Sequence, residues 1–277
     1  MQASRILITA ATGNVGTFLV RALQRKNMSF TAATRNASKA KEKFDKPLET
    51  VYLNFKHVSS FAPALKGKEM LFLCGPSATP NAEDLLMPLI EAAQAENIKH
   101  LVFIASHPKA MQKIEESGMD YTFIKANFFM QNFELYQIQD IRDKNQIFMP
   151  AGDGKAPFIH TRDVGEVAAE VLDNPGAYRN QTLYITGPQM VDHYEIADVF
   201  SDVLEKKIFY QNPSDEEYRR EMEARGFSES YINAMIAVFG KIKKGKVAGK
   251  TDGVEQVLER KPVPFKTYVE ENKGYFL

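Results

Sequence analysis

The stretch that decides the fold of this chain is Arg5-Ile-Leu-Ile-Thr-Ala-Ala-Thr-Gly-Asn-Val-Gly-Thr-Phe-Leu-Val-Arg-Ala-Leu23. A short apolar run from Ile6 to Ile8 predicts a buried strand, and apolar residues at helical spacing from Val15 onward predict a helix. Small residues from Ala10 to Gly16 join the two as a tight turn. A strand that leads through such a turn into a helix N-terminus forms an anion site, because backbone N–H groups and the helix dipole both favour a pyrophosphate. The stretch therefore predicts dinucleotide binding.

The three glycine positions of the dinucleotide pattern are occupied here by Ala10, Gly13 and Gly16. Because Ala10 carries a Cβ, it can serve in place of the first glycine only if the turn keeps its φ negative. Gly13 would let the backbone approach a phosphate, and Gly16 would let the helix pack closely on the strand. An ordinary strand–helix turn of small residues is the alternative. The residues of this turn that we expect to contact the dinucleotide are Ala10, Thr12, Gly13, Asn14, Val15 and Gly16.

Composition and charge limit the classes of protein to which this chain can belong. The 277 residues are 44% hydrophobic, enough for a large core, and 35 basic residues balance 35 acidic ones. This balance gives no reason to expect nucleic acid as a partner. The single cysteine, Cys74, excludes an intramolecular disulfide and fits a reducing compartment. Because the sequence has neither a signal-peptide pattern nor an apolar run of about 18 residues, we expect a soluble cytoplasmic protein that binds no membrane.

Strand and helix patterns alternate through the first half of the chain. Such alternation predicts an α/β fold, a Rossmann-type doubly wound parallel sheet with helices on both faces. We expect a dinucleotide-binding domain over residues 1–127, to which about 156–174 return, and a smaller, mostly helical C-terminal region over 128–277. Ligands bind such sheets at the carboxyl ends of the strands. Four residues that follow predicted strands are therefore expected to contact the dinucleotide: Gly75, Pro76, Ser106 and Asn127.

The end of the second predicted strand indicates which dinucleotide binds. Dehydrogenases that prefer NAD usually offer Asp or Glu there to the ribose 2′-hydroxyl. This chain instead has Thr34-Arg35-Asn36, with Lys39 one helical turn later. Arg35 can stack on adenine and can pair with a 2′-phosphate through its planar fork. We therefore expect NADP(H) rather than NAD(H) as the cofactor; the alternative is that Arg35 is only a solvent-facing cation.

Six further motifs follow in order along the chain: Lys99-His-Leu-Val-Phe-Ile-Ala-Ser106, Glu115-Glu-Ser-Gly-Met-Asp-Tyr-Thr-Phe-Ile124, Asn127-Phe-Phe-Met-Gln-Asn132, Asp163-Val-Gly-Glu-Val-Ala168, Tyr184-Ile-Thr-Gly-Pro188 and Arg260-Lys-Pro-Val-Pro-Phe265. Together with the first turn, Thr34-Arg35 and residues 37–40, they resemble the NmrA-like group of atypical short-chain dehydrogenases/reductases. That group includes NADPH-dependent quinone reductases, triphenylmethane-dye reductases and redox-sensing regulators without catalysis. The resemblance implies a Rossmann-type domain, an NADP(H) site and a small C-terminal domain that closes the substrate cleft.

The resemblance also makes Lys109 a candidate for contact with the nicotinamide ribose and for a catalytic role; a helix-surface cation is the alternative. The chain departs from the group in three places. Ala10 replaces the first glycine, Lys125-Ala126 stands where the group usually has Arg-Pro, and the segment between Ser106 and Lys109 is short. The substrate is therefore the property that can least be inferred for this chain from the resemblance.

Tyr121 and Lys125 have the Tyr-x-x-x-Lys spacing of standard short-chain dehydrogenases, in which the pair lies one helical turn apart and passes a proton. Here the segment follows Gly118, which predicts the end of a helix, and it has the pattern of a strand. In a strand the two Cα atoms would be about 13 Å apart. We therefore expect the spacing to be a coincidence.

Without that pair, the function supported best is that of an oxidoreductase that transfers hydride from NADPH to a quinone-like or conjugated aromatic acceptor. Reduction of such an acceptor needs little help from an acidic group of the protein. Two alternatives stay open: a non-catalytic NADP(H)-sensing regulator and a nucleotide-sugar epimerase. A homodimer is also left open. His107 and His160 are isolated from other metal-ligating residues in the sequence, so we expect no metal site. Core packing is the alternative for each residue expected to line the substrate pocket: Phe128, Phe129, Met130, Phe133, Met235 and Phe239.

Overall fold

The computed structural model describes residues 4–76, 82–105, 107–126, 128–247 and 249–277. Its strands are β1 (Ile6–Ile8), β2 (Thr31–Thr34), β3 (Glu49–Tyr52), β4 (Met70–Leu73), β5 (His100–Ile104), β6 (Asp120–Ala126), β7 (Gln146–Phe148), β8 (Gln181–Ile185) and β9 (Phe209–Gln211). Seven of them form one parallel sheet in the order β3-β2-β1-β4-β5-β6-β8. The order reverses between β1 and β4, which is where doubly wound sheets bind ligands. The predicted Rossmann-type α/β fold is confirmed.

The helices in the described part of the chain are α1 (Asn14–Arg25), α2 (Ala37–Glu42), α3 (Phe61–Leu65), α4 (Ala82–Ala95), α5 (Pro108–Glu116), α6 (Asn132–Tyr136), α7 (Ile138–Lys144), α8 (Thr161–Asp173), α9 (His193–Leu204), α10 (Asp215–Ala224), α11 (Glu229–Lys243), α12 (Gly253–Leu258) and α13 (Phe265–Glu271). The described part of the first half of the chain alternates strands and helices, as the sequence pattern predicts. Short elements such as β7, β9 and α12 have no clear sequence pattern. None of the helices in the described ranges combines the length and the apolar character that a bilayer span requires.

The chain divides into two compact units. The first comprises Met1–Ala126, Thr161–Ile185 and Gln256–Glu259 and contains the seven-stranded sheet. The second comprises Asn127–His160, Thr186–Glu255 and Arg260–Leu277. The segment that returns to the first unit ends later than the expected residue 174, because it carries β8 as well as α8.

Helix α8 packs closely on α1 because Gly165 has no side chain where the two helices meet. A Cβ at Gly165 would lie 2.7 Å from the Leu19 nitrogen, which is closer than van der Waals contact allows. An ion pair between Arg25 and Glu166, with an N···O distance of 2.7 Å, also joins these helices. The contact holds α1 in place and, with it, the turn at its N-terminus.

The sheet buries one continuous apolar layer across its central strands. Parallel pairing sets Leu7 of β1 beside Leu71 of β4, and Leu71 beside Leu101 of β5. All three side chains are fully buried and belong to one cluster with Phe61 of α3 and Leu86 of α4. Strands buried in this way give near-continuous apolar runs, which is why the sequence pattern reveals them.

The second unit combines an aromatic core with a buried ion pair. Phe133 and Phe265 meet edge to face, with ring centroids 5.3 Å apart. Asp140 of α7 is fully buried and accepts two hydrogen bonds from the Arg225 guanidinium, at 2.6 and 2.9 Å. Such a bidentate pair fixes the position of Arg225, at the end of α10, relative to α7.

Two helices of the second unit begin with capping boxes. At α9, Asp192 accepts from the Glu195 N–H and Glu195 accepts from the Asp192 N–H. At α10, Ser214 and Glu217 make the same reciprocal pair. Each box satisfies backbone donors that a helix N-terminus would otherwise leave without partners.

Candidate coenzyme-binding site

Helix α1 begins with backbone amides that have no partner within the helix. Its N-cap residue, Gly13, is extended and offers no side chain as a cap, and the first turn contains no acidic residue. The Thr17 hydroxyl donates to the Gly13 carbonyl at 2.7 Å and so ties the preceding turn to the helix. No side chain caps this helix end. Its free backbone amides and the positive end of the helix dipole therefore suit an anion.

Ala10 adopts a left-handed backbone conformation, with φ at +50°. The condition of a negative φ at Ala10 is therefore not met. The Ala10 carbonyl accepts a hydrogen bond from the Gly13 N–H at 2.9 Å, and this bond closes the turn. The turn keeps the conformation that a glycine would adopt, and Ala10 bears a strain of about 1–2 kcal/mol.

Gly16 is packed against the same carbonyl group. A Cβ at Gly16 would overlap the Ala10 oxygen and would lie 2.8 Å from the Ala11 Cα. A Cβ at Gly13 would lie 3.2 Å from the Ala10 oxygen, which is a smaller conflict. The turn therefore folds directly onto the first turn of α1 and forms a cradle of backbone atoms that fits a diphosphate.

The other residues of this turn that are predicted to contact the dinucleotide differ in their exposure to solvent. Asn14 is exposed and Thr12 is half-buried, so both can present side chains to a ligand. Val15 is buried, as is Gly16, so their contribution is limited to backbone groups.

A side-chain bridge joins the carboxyl ends of β1 and β4. The Cys74 N–H donates to Thr9 Oγ1 at 2.9 Å, and the Thr9 hydroxyl lies 3.1 Å from the Phe72 carbonyl oxygen. Because Thr9 directly precedes the first turn, the bridge holds the half-buried Gly75 and Pro76 near that turn. Burial raises the pKa of the Cys74 thiol to about 11, so the thiol is protonated at neutral pH and is a poor nucleophile.

Arg35 and Lys39 both lie exposed where β2 leads into α2. Asn36 caps α2: its Oδ1 accepts from the Lys39 N–H at 3.0 Å, and its own N–H donates to Thr34 Oγ1 at 3.1 Å. Within the described residues Arg35 has no ion-pair partner, so its guanidinium is available to a ligand.

Lys43 adds a cation that the sequence pattern does not indicate. Its Nζ donates to the Thr12 carbonyl at 2.7 Å. Burial lowers the pKa of Lys43, and the positive charges of Arg21 and Lys39 lower it further. A group of cations beside the first turn is an arrangement that a bound anion would stabilise. Arg21 lies on α1 and Lys43 directly follows α2, so only the folded chain brings them together.

Three more of the predicted contact residues follow β5 and β6. Ser106 and Asn127 lie outside the described residues. The Lys109 N–H donates to Glu83 Oε1 at 2.7 Å, and Lys109 Nζ lies 3.9 Å from Glu83 Oε2. The Lys109 side chain is 80% exposed, so this ion pair restrains it weakly. Its contact with a nicotinamide ribose stays a prediction.

Tyr121 and Lys125 both belong to β6, which confirms the prediction of a strand. Tyr121 stacks on Phe123, with ring centroids 4.4 Å apart. Lys125 Nζ instead lies 5.5 Å from the centre of the Tyr184 ring. The two side chains therefore have separate partners and do not form the acid–base pair of standard short-chain dehydrogenases.

The six predicted pocket residues divide by burial. Met130, Phe133 and Phe239 are buried in the core of the second unit, in agreement with their core-packing alternative. The remaining three are half-buried and stay candidates for ligand contact: Phe128, Phe129 and Met235. The sequence does not distinguish the buried residues from the half-buried ones, because the path of the folded backbone decides which of these side chains face the core.

No cluster of three His, Cys, Asp or Glu side chains in the described part of the chain is arranged to hold a metal ion. His160 lies in the second unit with its Nε2 3.2 Å from the Gln131 amide nitrogen, and its ring meets Tyr268 at an angle of 72°. It is a core histidine with polar and aromatic neighbours.

Comparison with known proteins gives the family. The sequence profile of the NmrA-like family matches residues 2–271. The chain belongs to the NmrA-like family. This NmrA-like chain is 31% identical to the NAD(P)H azoreductase of Xenophilus azovorans, over 98% of its own length and 97% of the relative's.

Two solved structures share the fold of this NmrA-like chain over nearly its whole length. An NADPH-dependent quinone oxidoreductase from Escherichia coli, complexed with NADPH, has a TM-score of 0.87 at 19% identity and covers 97% of this chain and 99% of its own. The triphenylmethane reductase of Citrobacter sp., complexed with NADP(H), has a TM-score of 0.85 at 22% identity, with 96% and 99% covered. The predicted family is confirmed. The broad expectation of an NAD(P)H-dependent oxidoreductase is confirmed as well.

Proposed function

We propose that this NmrA-like chain is an NADPH-dependent reductase of quinone-like or conjugated aromatic acceptors. The observation that carries the proposal is the backbone cradle at the start of α1, in which the Ala10 carbonyl closes the turn and contacts Gly16. A pyridine dinucleotide carries a diphosphate, which matches the amide groups at this helix end. When bound, the reduced nicotinamide supplies a hydride.

The preference for NADPH over NADH is proposed on charge. Residues 31–41 contain no carboxylate that could accept the ribose 2′-hydroxyl. Arg35, Lys39 and Lys43 supply positive charge instead, and the Arg35 fork matches the oxygens of a phosphate. Burial lowers the pKa of Lys43 most, and a bound 2′-phosphate would offset the repulsion from Arg21 and Lys39 that lowers it further.

The acceptor class is proposed from the relatives and from the chemistry of β6. The relatives above are named as reductases of azo compounds, of triphenylmethane dyes and of quinones, which are all conjugated acceptors. Tyr121 and Lys125 contact Phe123 and Tyr184 rather than each other, so they supply no proton relay. A conjugated acceptor takes a hydride at a delocalised position and a proton from solvent, and it needs no such relay.

The activity is tested by following the loss of NADPH absorbance after adding a naphthoquinone, an azo dye or a triphenylmethane dye. We expect turnover with at least one of these acceptors, loss of turnover in Gly16→Ala, and an unchanged rate in Tyr121→Phe. No turnover across the panel, with NADPH binding intact, would contradict the proposal and indicate a sensing role. A large loss of rate in Tyr121→Phe would indicate chemistry of the epimerase type.

The coenzyme preference is tested by calorimetric titration of Arg35→Ala and Lys39→Ala with NADPH and with NADH. Each substitution is expected to weaken NADPH binding about tenfold, the effect of one charge-assisted hydrogen bond, and to leave NADH binding unchanged. Lys41→Ala is the matched control, because Lys41 lies about 200° around α2 from Lys39. An equal loss for both coenzymes would contradict the charge-based preference.

A further inference from the structure

Helix α5 receives the cap at its N-terminus from a neighbouring helix. Its N-cap residue, His107, makes no capping hydrogen bond with its side chain, and Pro108 has no backbone N–H to donate. The next amide along the chain, that of Lys109, donates to Glu83 Oε1 on α4 at 2.7 Å. The Glu83 side chain is only 24% exposed, so this charge-assisted hydrogen bond is largely shielded from water. Glu83 therefore fixes where α5 begins.

The Glu83 carboxylate also occupies the position at which an anion would otherwise bind α5. The positive end of a helix dipole favours negative charge, and Glu83 supplies that charge from within the protein. Asn36 caps α2 in a comparable way, through its side-chain oxygen. Of α1, α2 and α5, only α1 begins without a side-chain acceptor in the described residues. These caps leave α1 as the open helix end for a diphosphate.

The order of the sheet assigns the two halves of a dinucleotide to opposite sides of α1. Arg35 and Lys39, the proposed partners of the 2′-phosphate, follow β2, which lies on one side of β1. The nicotinamide half of a coenzyme whose diphosphate lies at α1 then extends over β4 and β5, on the other side. Strand β5 lies two strand spacings, about 10 Å, from β1. The helix that follows β5, α5, therefore begins on the nicotinamide side.

A series of contacts links Glu83 to the turn before α1. Thr9, which directly precedes that turn, accepts a hydrogen bond from the Cys74 N–H. The next residue, Gly75, lies so close to α4 that a Cβ there would be 3.3 Å from the Leu86 side chain. Leu86 is fully buried and lies one helical turn from Glu83. The first turns of α4, which carry Glu83, are therefore packed against the connection that leads from β4 past the cradle.

We propose that Glu83 is a positioning residue for the nicotinamide half of the coenzyme. One carboxylate oxygen fixes the start of α5, and the other, Oε2, lies 3.9 Å from Lys109 Nζ. Because the Lys109 side chain is 80% exposed, the bond to its backbone does most of the positioning and the ion pair does little. This role rests on the proposed function, because it requires a pyridine dinucleotide at α1.

Binding of the coenzymes and of a coenzyme fragment tests the role of Glu83 without turnover. Adenosine 2′,5′-bisphosphate carries the adenosine half of NADPH and no nicotinamide. In Glu83→Ala we expect calorimetry to show about two- to tenfold weaker binding of both NADPH and NADH, and unchanged binding of the bisphosphate. An equal loss for all three ligands would indicate a general structural defect and would overturn the proposal. Wild-type affinity for all three would overturn it as well.

Two further variants separate the cap from the ion pair and from helix packing. Glu83→Gln keeps an oxygen that can accept the Lys109 N–H, so it should recover most of the affinity lost in Glu83→Ala. Glu91→Ala is the matched control, because Glu91 pairs with Lys113 between the same two helices at 3.2 Å and lies about two helical turns beyond Glu83. It should keep wild-type affinity for all three ligands. Equal losses in Glu83→Ala and Glu91→Ala, or no recovery in Glu83→Gln, would contradict the proposal.

Turnover measurements separate this role from the proposed function. If the wild-type protein binds NADPH but reduces no acceptor, while Glu83→Ala binds NADPH more weakly, the reductase is refuted and the positioning role is retained. If the wild-type protein reduces an acceptor and Glu83→Ala matches it in kcat and in KM for NADPH, the reductase is retained and the positioning role is refuted. Absence of coenzyme binding in the wild-type protein would refute both.

Discussion

The carbonyl oxygen of Ala10 occupies the space that a side chain on Gly16 would need. The same oxygen accepts the hydrogen bond from the Gly13 N–H that closes the turn. Ala10 holds it there through a left-handed φ of +50°. One strained residue and one obligatory glycine therefore shape the candidate diphosphate cradle.

Adding one methyl group at Gly16 is expected to disrupt this cradle. In Gly16→Ala the new Cβ would overlap the Ala10 oxygen, and backbone atoms cannot move aside as a flexible side chain can. We expect coenzyme affinity to fall by more than tenfold and unfolding free energy to fall by about 1–3 kcal/mol, the usual cost of overpacking. Gly176→Ala adds the same methyl group where no atom lies within 4 Å and should leave both quantities unchanged. Wild-type coenzyme affinity in Gly16→Ala would contradict the cradle.

Restoring glycine at position 10 is expected to stabilise the protein. Ala10→Gly removes the cost of a left-handed alanine, about 1–2 kcal/mol, and loses part of that gain because glycine makes the unfolded chain more flexible. The unfolding free energy should therefore rise by about 1 kcal/mol in urea titrations. Ala11→Gly, one residue along and without a positive φ, should instead lower stability. A less stable Ala10→Gly protein would show that the alanine is not strained.

The sequence predicts the order of the glycines in the first turn but not the conformation of Ala10. The φ of one residue depends on the Gly13–Ala10 hydrogen bond, which a motif does not encode. The contact of Lys43 could not be predicted for a similar reason: Lys43 reaches Thr12 from the end of α2, and sequence spacing carries no information on that distance. The strand at Tyr121 was predictable, because a local signal, Gly118, separates it from the preceding helix.

The buried ion pair of the second unit predicts an asymmetric response to substitution. Arg225→Met leaves the fully buried Asp140 carboxylate without its bidentate partner, and we expect a loss of about 3–5 kcal/mol in unfolding free energy. Combining Arg225→Met with Asp140→Leu removes both charges and should recover most of that loss. Lys207→Met, which breaks the exposed pair with Asp198, is the control and should have a much smaller effect. Equal losses in the single and double variants would contradict the assignment.

His193 predicts a loss of stability in mild acid. It is fully buried, its ring stacks on Tyr210 at 5.3 Å, and neither ring nitrogen has a hydrogen-bond partner in the described residues. Burial lowers the pKa of His193 from 6.5 to about 4. Above pH 6.5 neither the folded nor the unfolded state is protonated; below it only the unfolded state gains the proton, so stability falls until pH reaches about 4.

Urea unfolding at pH 7.5 and pH 5 checks this linkage. The wild-type protein is expected to lose about 2 kcal/mol more over this interval than His193→Phe, which keeps an aromatic ring and cannot titrate. Parallel curves for wild type and His193→Phe would contradict the predicted pKa shift.

The parallel sheet could be predicted because its strands are apolar runs with breaks between them, such as Ile6–Ile8 and Met70–Leu73. The second unit was less predictable. Strands β7 and β9 are three residues each and pair with one another across more than fifty residues of sequence. The burial of Met130 and Phe133 likewise depends on neighbours from distant segments, such as Phe265.

Calorimetric titration of the purified chain with NADPH, and separately with NADH, tests coenzyme binding most directly. We expect saturable heat with NADPH and a dissociation constant at least about tenfold larger for NADH, because only NADPH carries the 2′-phosphate that Arg35, Lys39 and Lys43 can bind. No heat from either coenzyme at millimolar concentration would contradict the assignment of the α1 cradle, and equal affinity for both would contradict the role of the three cations.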